Sequence, residues 1–368
     1  MVEPDPDRAE RGSGLARGLL AAAAVLAVLV GMTLTAAWLR ADGTGDDDRS
    51  TPDDSATVLA PADELATDWR YESFRDVQVQ VPVAWEYRGS PGSDWCVGEP
   101  SPDEIPSGPY VDLRGPYWGS LSILCPNEAA TPDLHGDGVP RRLWAPHVSF
   151  EFAEQRDRPE DGITKDGGWT RIVRTVGGAR IRVLTDDTHL ADARRIVDSA
   201  TVVEVDANGC EATSAIQAKG YPRPSRAFDV LDLGSVDSIA VCQYAHGAGT
   251  DKPWKLGSRV ISGDAAQNLL LSAIQEAPVG SGPNTPETCS HDYVDGTAVV
   301  LRLREGDRVH DLYVYYESCI NNGFDDGTTR RSLTAASCEP LWGGRVLQMS
   351  GSSAPFRVCH GRPAGTGK

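Results

Sequence analysis

Residues 290–292 bring together the three side-chain types of a serine hydrolase triad. The segment reads Ser290, His291 and Asp292. A working triad needs these groups to converge in space, whereas neighbours on an extended chain point in alternating directions. We therefore expect a polar loop beside Cys289 rather than a catalytic site.

Two further segments carry oxygen ligands of the kind that cations prefer. The segment Asp133 to Gly138 begins like a calcium-binding loop, but Trp144 stands where the bidentate glutamate belongs. The second segment combines asparagine, aspartate and glycine; its members are Asn321, Asn322, Gly323, Asp325, Asp326 and Gly327. Turns select the same residue types for local backbone reasons. We therefore interpret the first segment as a solvated turn and the second as a turn, and we predict no metal site.

The motifs that signal hydrolysis or nucleotide binding are missing from the sequence. It contains no G-x-S-x-G elbow, no H-E-x-x-H helix, no G-x-x-x-x-G-K-[ST] loop and no G-x-G-x-x-G turn. We therefore predict no catalytic function and no cofactor. The net charge of -18 also argues against nucleic-acid binding, which needs a basic surface to displace counterions from phosphate.

An aromatic loop is the strongest sequence signal for ligand binding. A Gly-Pro-Tyr triplet at residues 108–110 recurs at residues 115–117 and is followed there by tryptophan. Rigid aromatic faces lose little conformational entropy on binding and suit glycan or peptide contacts. The candidate contacts are Trp95, Tyr110, Tyr117 and Trp118. Packing in the core of a small domain is the alternative interpretation.

The eight cysteines are even in number and none forms a C-x-x-C pair. This spacing fits structural disulfides better than a zinc or redox site. Sequence alone allows 105 pairings of eight cysteines, and we predict pairing of nearest neighbours. The predicted pairs are Cys96 with Cys125, Cys210 with Cys242, Cys289 with Cys319, and Cys338 with Cys359.

The segment Gly18 to Leu39 predicts a single transmembrane helix. It holds 22 residues without a charge, which would extend about 33 Å as a helix and cross a bilayer. Arginines precede it, and Asp46, Asp47 and Asp48 follow it, so we expect residues 1–17 in the cytoplasm and the rest outside the plasma membrane. A cleaved signal peptide is the alternative, but its apolar region is usually shorter.

Composition divides the remaining chain into a linker and two domains. Residues 40–67 are acidic and poor in large apolar residues, so we expect a disordered linker. The length of the rest suits two small domains, which we place at residues 68–206 and 207–368. We predict an α+β fold for each domain, with antiparallel sheets braced by disulfides.

Hydrophobic periodicity locates the main elements of both predicted domains. In the first, Val77, Val79 and Val81 alternate with polar residues, and a hairpin turns at residues 177–178. In the second, a helix is predicted from Asp264 to Glu276, and its apolar face consists of Ala266, Leu269, Leu270, Ala273, Ile274 and Ala277. A second hairpin turns at residues 305–307.

Residues 239–323 carry a series of short motifs. They are a V-C-x-Y strand end at Val241 to Tyr244, an A-P helix end at Ala277-Pro278, the cysteine Cys289, the hairpin around residues 305–307 and a cysteine followed by N-G at Cys319 to Gly323. With these motifs the segment resembles a module of membrane-anchored or secreted envelope proteins of actinobacteria. The first domain, with its V-P-x-x-W segment from Val81 to Trp85, is loosely similar to the PsbP/Mog1-type fold. The resemblance implies an envelope location and no particular activity.

Together these patterns predict a non-catalytic binding or interaction module of the cell envelope. Its expected partners are the lipid bilayer, contacted through residues 18–39, and an envelope glycan or protein. Two alternatives stay open. One is an envelope hydrolase, which would place His147, His246 or His291 near a serine and a carboxylate; the other is a purely structural or assembly role.

Overall fold

The structure is a computed structural model. It describes residues 67–90, 105–113, 134–135, 138–154, 160–218, 220–246, 254–283, 296–317, 320–347 and 354–359. The chain from Pro61 onward forms one compact unit. The predicted transmembrane segment, and nearly all of the acidic linker, lie outside the described residues. None of the helices in the described part is both long and apolar enough to span a bilayer.

The N-terminal part of the described chain forms two sheets and one helix. Its elements are β1 Trp69–Phe74, β2 Val77–Pro82, β3 Glu86–Arg88, β4 Tyr110–Asp112, β5 His147–Phe152, β6 Gly162–Asp166, β7 Trp169–Val176, β8 Ala179–Asp186, α1 Leu190–Asp198 and β9 Thr201–Val202. One sheet has the order β1-β2-β9, and the other has the order β3-β4-β5-β8-β7-β6. These sheets and α1 enclose a shared hydrophobic core.

Sequence periodicity accounts for most of this part. Val77, Val79 and Val81 are all fully buried, as the alternating pattern predicts for a strand with one face in the core. The hairpin β7-β8 is confirmed, and Gly177 at its turn has a φ of 50°. The pairs β3-β4 and β4-β5 are parallel, although we predicted antiparallel sheets. Long connections make parallel pairing of neighbouring strands feasible.

The C-terminal part contains one antiparallel sheet with helices packed against it. Its strands are β10 Ser238–His246, β11 Lys255–Ser262, β12 Gly296–Glu305, β13 Arg308–Tyr315, β14 Gly323–Asp325 and β15 Arg330–Arg331, and its α-helices are α2 Ser272–Gln275, α3 Ala335–Cys338 and α4 Ala354–Cys359. The strand order is β11-β10-β12-β13-β14-β15. The predicted hairpin β12-β13 is confirmed. The described chain thus has the α+β class with mainly antiparallel sheets.

The predicted helix over Asp264 to Glu276 is present but differs in type. Residues Ala265–Leu271 form a π-helix, which continues into α2. The i→i+5 hydrogen bonds of a π-helix change the angular register of its side chains. Leu269 is consequently 59% exposed, so its predicted place on the apolar face is wrong, whereas Leu270 and Ile274 are fully buried as predicted.

Two of the predicted disulfides are confirmed. Cys210 is bonded to Cys242 and Cys338 to Cys359, with Cα–Cα distances of 5.5 Å and 5.3 Å. The other four cysteines, Cys96, Cys125, Cys289 and Cys319, lie outside the described residues. Their two pairings stay predictions.

A buried polar cluster joins β1 to β11. Lys255 is fully buried, and its Nζ donates to Asp206 Oδ2 at 2.7 Å. The same carboxylate oxygen accepts hydrogen bonds from Ser73 Oγ and Ser258 Oγ, each at 2.7 Å. Asp206 Oδ1 accepts from the backbone N–H of Cys210 at 2.9 Å. Asp206 lies at the boundary between the two predicted domains, and these bonds attach it to β1 of the first and to β11 of the second.

The C-terminal part also contributes to the core of the N-terminal part. Leu256 of β11 belongs to that hydrophobic core. The buried guanidinium of Arg345 lies 4.3 Å from the centre of the Phe150 ring. The two predicted domains therefore share an interface within one compact unit, and the boundary near residue 206 stays a prediction.

Candidate ligand-binding site

A cavity of about 450 Å³ lies at the β14-β15 edge of the C-terminal sheet. Its lining residues are Gly220, Tyr221, Arg223, Asn321, Thr328 and Arg330. They come from the loop 220–226, the segment before β14, the turn between β14 and β15, and β15 itself. We call these six residues the arginine pocket.

Asp325 holds both arginines of the pocket in place. Its side chain is fully buried and forms ion pairs with Arg223 and Arg330. Arg223 Nε lies 3.0 Å from each carboxylate oxygen, and Arg223 Nη2 lies 2.7 Å from Oδ1. Arg330 Nη2 donates to Oδ2 at 2.6 Å. Such charge-assisted bonds fix the orientation as well as the position of a guanidinium.

The electrostatic environment keeps Asp325 ionised. Burial alone would raise the pKa of this carboxyl group. Hydrogen bonds from Arg223, from the N–H of Gly327 and from Arg330 outweigh burial and hold the pKa below its usual value of 3.8. The same bond to Asp325 raises the pKa of Arg223. The pocket therefore holds the Arg223 cation beside an ionised carboxylate.

The loop that carries Tyr221 and Arg223 is tied to the sheet by backbone contacts. Tyr315 Oη donates to the carbonyl oxygen of Pro222 at 2.7 Å, and the N–H of Phe228 donates to the carbonyl oxygen of Asp326 at 3.0 Å. Gly327 allows this close approach, because a Cβ there would lie 2.8 Å from the Cα of Ala227. These contacts hold the loop of residues 220–226 against the sheet near both of its ends.

Two lining residues have left-handed backbone conformations. The φ angles are 55° at Tyr221 and 60° at Asn321. Tyrosine seldom occupies this region, and such strain concentrates at functional sites, whereas asparagine adopts it more readily. Asn321 also accepts a hydrogen bond through Oδ1 from Arg330 Nη1 at 2.5 Å, which links this segment to the arginine pair.

The turn interpretation of residues 321–327 is only partly right, because Gly323–Asp325 form β14 and the turn follows this strand. Asp325 is occupied by arginines, and Asp326 Oδ1 accepts from the backbone N–H groups of Thr328 and Thr329. Within the described part of the chain, no three His, Cys, Asp or Glu side chains are grouped so that they could hold a metal ion. The acidic residues here orient arginines and cap a turn.

Of the predicted aromatic contacts, only Tyr110 lies among the described residues. Its side chain is 1% exposed, and its ring stacks on His147 with centroids 5.0 Å apart. Tyr110 therefore lies in the interior, as the alternative interpretation of core packing states. Trp95, Tyr117 and Trp118 lie outside the described residues, and their role stays a prediction.

The structure brings together a serine and a histidine that the sequence patterns did not pair. Ser90 Oγ lies 3.1 Å from His135 Nε2, and both residues are buried. Asp112 Oδ1 accepts from the backbone N–H of Ser90 at 3.0 Å. The segment 290–292 and the side chain of His246 lie outside what the structure describes.

His147, named above as a candidate for the hydrolase alternative, is fully buried. Burial and the neighbouring Arg182 lower its pKa to about 3, so its ring is neutral. Its Nδ1 lies 3.0 Å from the carbonyl oxygen of Ala145. A neutral ring with this contact donates from Nδ1, so His147 is held as a core residue beside Tyr110.

We expect the stability of the protein to depend on the ionisation of Asp325. The unfolded carboxyl binds its proton at higher pH than the folded one, so this contribution is complete above pH 3.8 and is lost as the pH falls towards the folded pKa. Asp325→Asn should therefore destabilise the protein most at about pH 6 and progressively less towards about pH 3. Urea unfolding across this range measures the difference. The exposed Asp264→Asn is the control, and a difference independent of pH would contradict the prediction.

Comparison of the chain with protein-family models, with curated proteins and with solved structures finds no match.

Proposed function

We propose that this chain is a single-pass plasma-membrane protein whose extracytoplasmic part is a non-catalytic binding module of the cell envelope. In this proposal residues 18–39 cross the bilayer, residues 1–17 are cytoplasmic and residues 40–67 form a disordered tether. The ligand site of the module is the arginine pocket, and its partner is an envelope glycan or protein. The envelope resemblance of residues 239–323 agrees with this location.

The two disulfides support the proposed compartment. Disulfides persist in oxidising surroundings and are rare in the cytosol. Cys210–Cys242 and Cys338–Cys359 both lie after the charge-free segment at residues 18–39. An exterior location for the folded part is the simplest arrangement that accounts for both observations.

The observation that carries the binding proposal is the fixed arginine pair in an open cavity. A volume of about 450 Å³ lies within the usual range of small-molecule sites. Binding sites gain affinity when their polar groups are already oriented, because less ordering entropy is lost on association. Asp325 supplies that orientation for both Arg223 and Arg330.

Site-specific photocrosslinking in intact cells tests the proposal. We expect p-benzoylphenylalanine in place of Thr328, on the pocket wall, to give a discrete envelope adduct on illumination. The matched control carries the same group in place of Lys165, which is exposed on β6 of the other part of the chain. Mass spectrometry of the adduct distinguishes a glycan from a protein. Equal labelling from both positions, or none from position 328, would favour the structural or assembly role instead.

The contact between Ser90 and His135 favours a second candidate function, an envelope hydrolase. A serine within hydrogen-bond reach of a histidine is the first requirement of an activated nucleophile. The carboxylate of Asp112, however, accepts from the backbone of Ser90, whereas in a triad the acid orients the imidazole. Ser90 is also only 4% exposed, so this candidate ranks behind the binding module.

A fluorophosphonate probe separates the two functions. We expect the full-length protein to remain unlabelled, because the buried Ser90 hydroxyl is shielded from a substrate-sized reagent. The matched control is Ser90→Ala. Labelling of the native protein that disappears in this variant would establish a nucleophilic serine and overturn the non-catalytic proposal.

A further inference from the structure

The wall of the arginine pocket has the opposite charge to the protein as a whole. The chain carries a net charge of -18, yet the six lining residues include two arginines and no acidic side chain. The carboxylate that pairs with these arginines, Asp325, is fully buried and is not itself a lining residue. A ligand in the pocket therefore meets cations and neutral groups.

Both guanidinium groups retain N–H donors that no described residue uses. Arg223 contacts Asp325 through Nε and Nη2, and its Nη1 has no partner among the residues that the structure describes. Arg330 contacts Asn321 and Asp325 through Nη1 and Nη2, while its buried Nε has no partner within the described part of the chain. The Arg223 side chain is 47% exposed, so an acceptor bound in the pocket can approach its remaining N–H donors.

We infer that the ligand of the arginine pocket carries an oxyanion, a carboxylate or a phosphate, that pairs with Arg223 and Arg330. Guanidinium groups recognise such oxyanions through charge-assisted hydrogen bonds. This inference rests on the proposed binding function and names the chemical group that the site selects. In this inference the negative charge of the ligand, rather than contact with the aromatic loop, determines which ligands the pocket binds.

The remaining lining residues suit the rest of an acidic sugar. Tyr221 contributes an aromatic side chain that is only partly buried, and Thr328 and Asn321 contribute polar groups. The Tyr221 ring packs edge-on against Tyr315, with centroids 5.2 Å apart, so its position is fixed. An aromatic face beside charged and amide groups can hold a sugar ring while the arginines bind its acid.

Three probes that differ in one group test the inference. N-acetylmuramic acid carries a carboxylate on a sugar ring, N-acetylglucosamine is the related neutral sugar, and N-acetylglucosamine 6-phosphate carries a phosphate on the same ring. We expect isothermal titration calorimetry on the full-length protein to show binding of at least one anionic probe, at least tenfold tighter than the neutral sugar. The preferred anion then distinguishes a carboxylate from a phosphate ligand.

Variants of one loop assign the binding to the pocket. We expect Arg223→Gln to weaken binding of the anionic probe about tenfold, and Arg226→Gln to leave it unchanged. Arg226 is exposed on the same loop but is not a lining residue. If Arg223→Gln does not fold, the salt dependence of the native protein serves instead, because binding to an ion pair site weakens as salt rises from about 50 to about 500 mM.

The outcomes separate the inference from the proposed function. Equal binding of the neutral sugar and the anionic probes, or an unchanged affinity in Arg223→Gln, would overturn the inference. Absence of binding by all three probes would overturn it as well. In each case an adduct from position 328 in cells would still support a binding module, whereas its absence removes the proposed function itself.

Discussion

Lys255→Met is expected to lower the free energy of unfolding by about 3–5 kcal/mol, because it leaves the buried carboxylate of Asp206 without its cation. Lys255 is fully buried, and its Nζ lies 2.7 Å from Asp206 Oδ2. The partners left in place, Ser73 and Ser258, donate neutral hydrogen bonds. These cannot replace a full positive charge in a region of low dielectric constant.

Guanidinium denaturation measures this effect through the shift in midpoint. Lys165→Met is the matched control, since that lysine is exposed on β6 and its loss should cost less than about 0.5 kcal/mol. Adding Asp206→Asn to Lys255→Met should recover part of the stability, because the unpaired charge is then gone. A loss of under about 1 kcal/mol in the single variant would contradict the importance given to this ion pair.

Removal of the Cys210–Cys242 disulfide is expected to have the second large effect. The half-cystines are 32 residues apart, and a loop of that length gives about 3–4 kcal/mol on the chain-entropy account. Cys210→Ser with Cys242→Ser should therefore unfold at a clearly lower denaturant concentration than the native protein. The comparison is Cys338→Ser with Cys359→Ser, where the separation is 21 residues.

The disulfide and the buried ion pair should not act independently. Lys255 Nζ lies 3.3 Å from the carbonyl oxygen of Cys210, and the N–H of Cys210 donates to Asp206. Residues that share a network show coupling energies of about 0.5–3 kcal/mol in double-mutant cycles. The loss of unfolding free energy in the variant that combines Cys210→Ser, Cys242→Ser and Lys255→Met should therefore differ from the sum of the separate losses by an amount in this range. Strict additivity would mean that the disulfide does not position the cluster.

Local patterns predicted the strands and hairpins well, because the physical causes of these elements are local. The alternation from Val77 to Val81 and the glycine turn at residues 177–178 each determine structure within a few residues. The same holds for the hairpin β12-β13. Nearest-neighbour pairing succeeded for the two disulfides that the structure describes, where each partner lies on an adjacent part of the fold.

The arginine pocket was not predictable in the same way, because its contacts are distant in sequence. Arg223 and Asp325 are separated by 102 positions, and no local pattern relates them. The clustered asparagines, aspartates and glycines of residues 321–327 mark the segment that contains Asp325, but residue types alone do not indicate that arginines occupy its carboxylate. The left-handed conformation of Tyr221 was not predictable from its residue type, since tyrosine seldom adopts it, whereas the asparagine at position 321 is a type that does.

The place of Arg345 beside Phe150 has a consequence for biogenesis. Polypeptides emerge from their amino end, so the earlier strands leave the ribosome long before the residue that completes their interior. A product that terminates before Arg345 would leave Phe150 without this contact in the interior. The N-terminal part of the fold therefore reaches its final packing only after residue 345 has been synthesised.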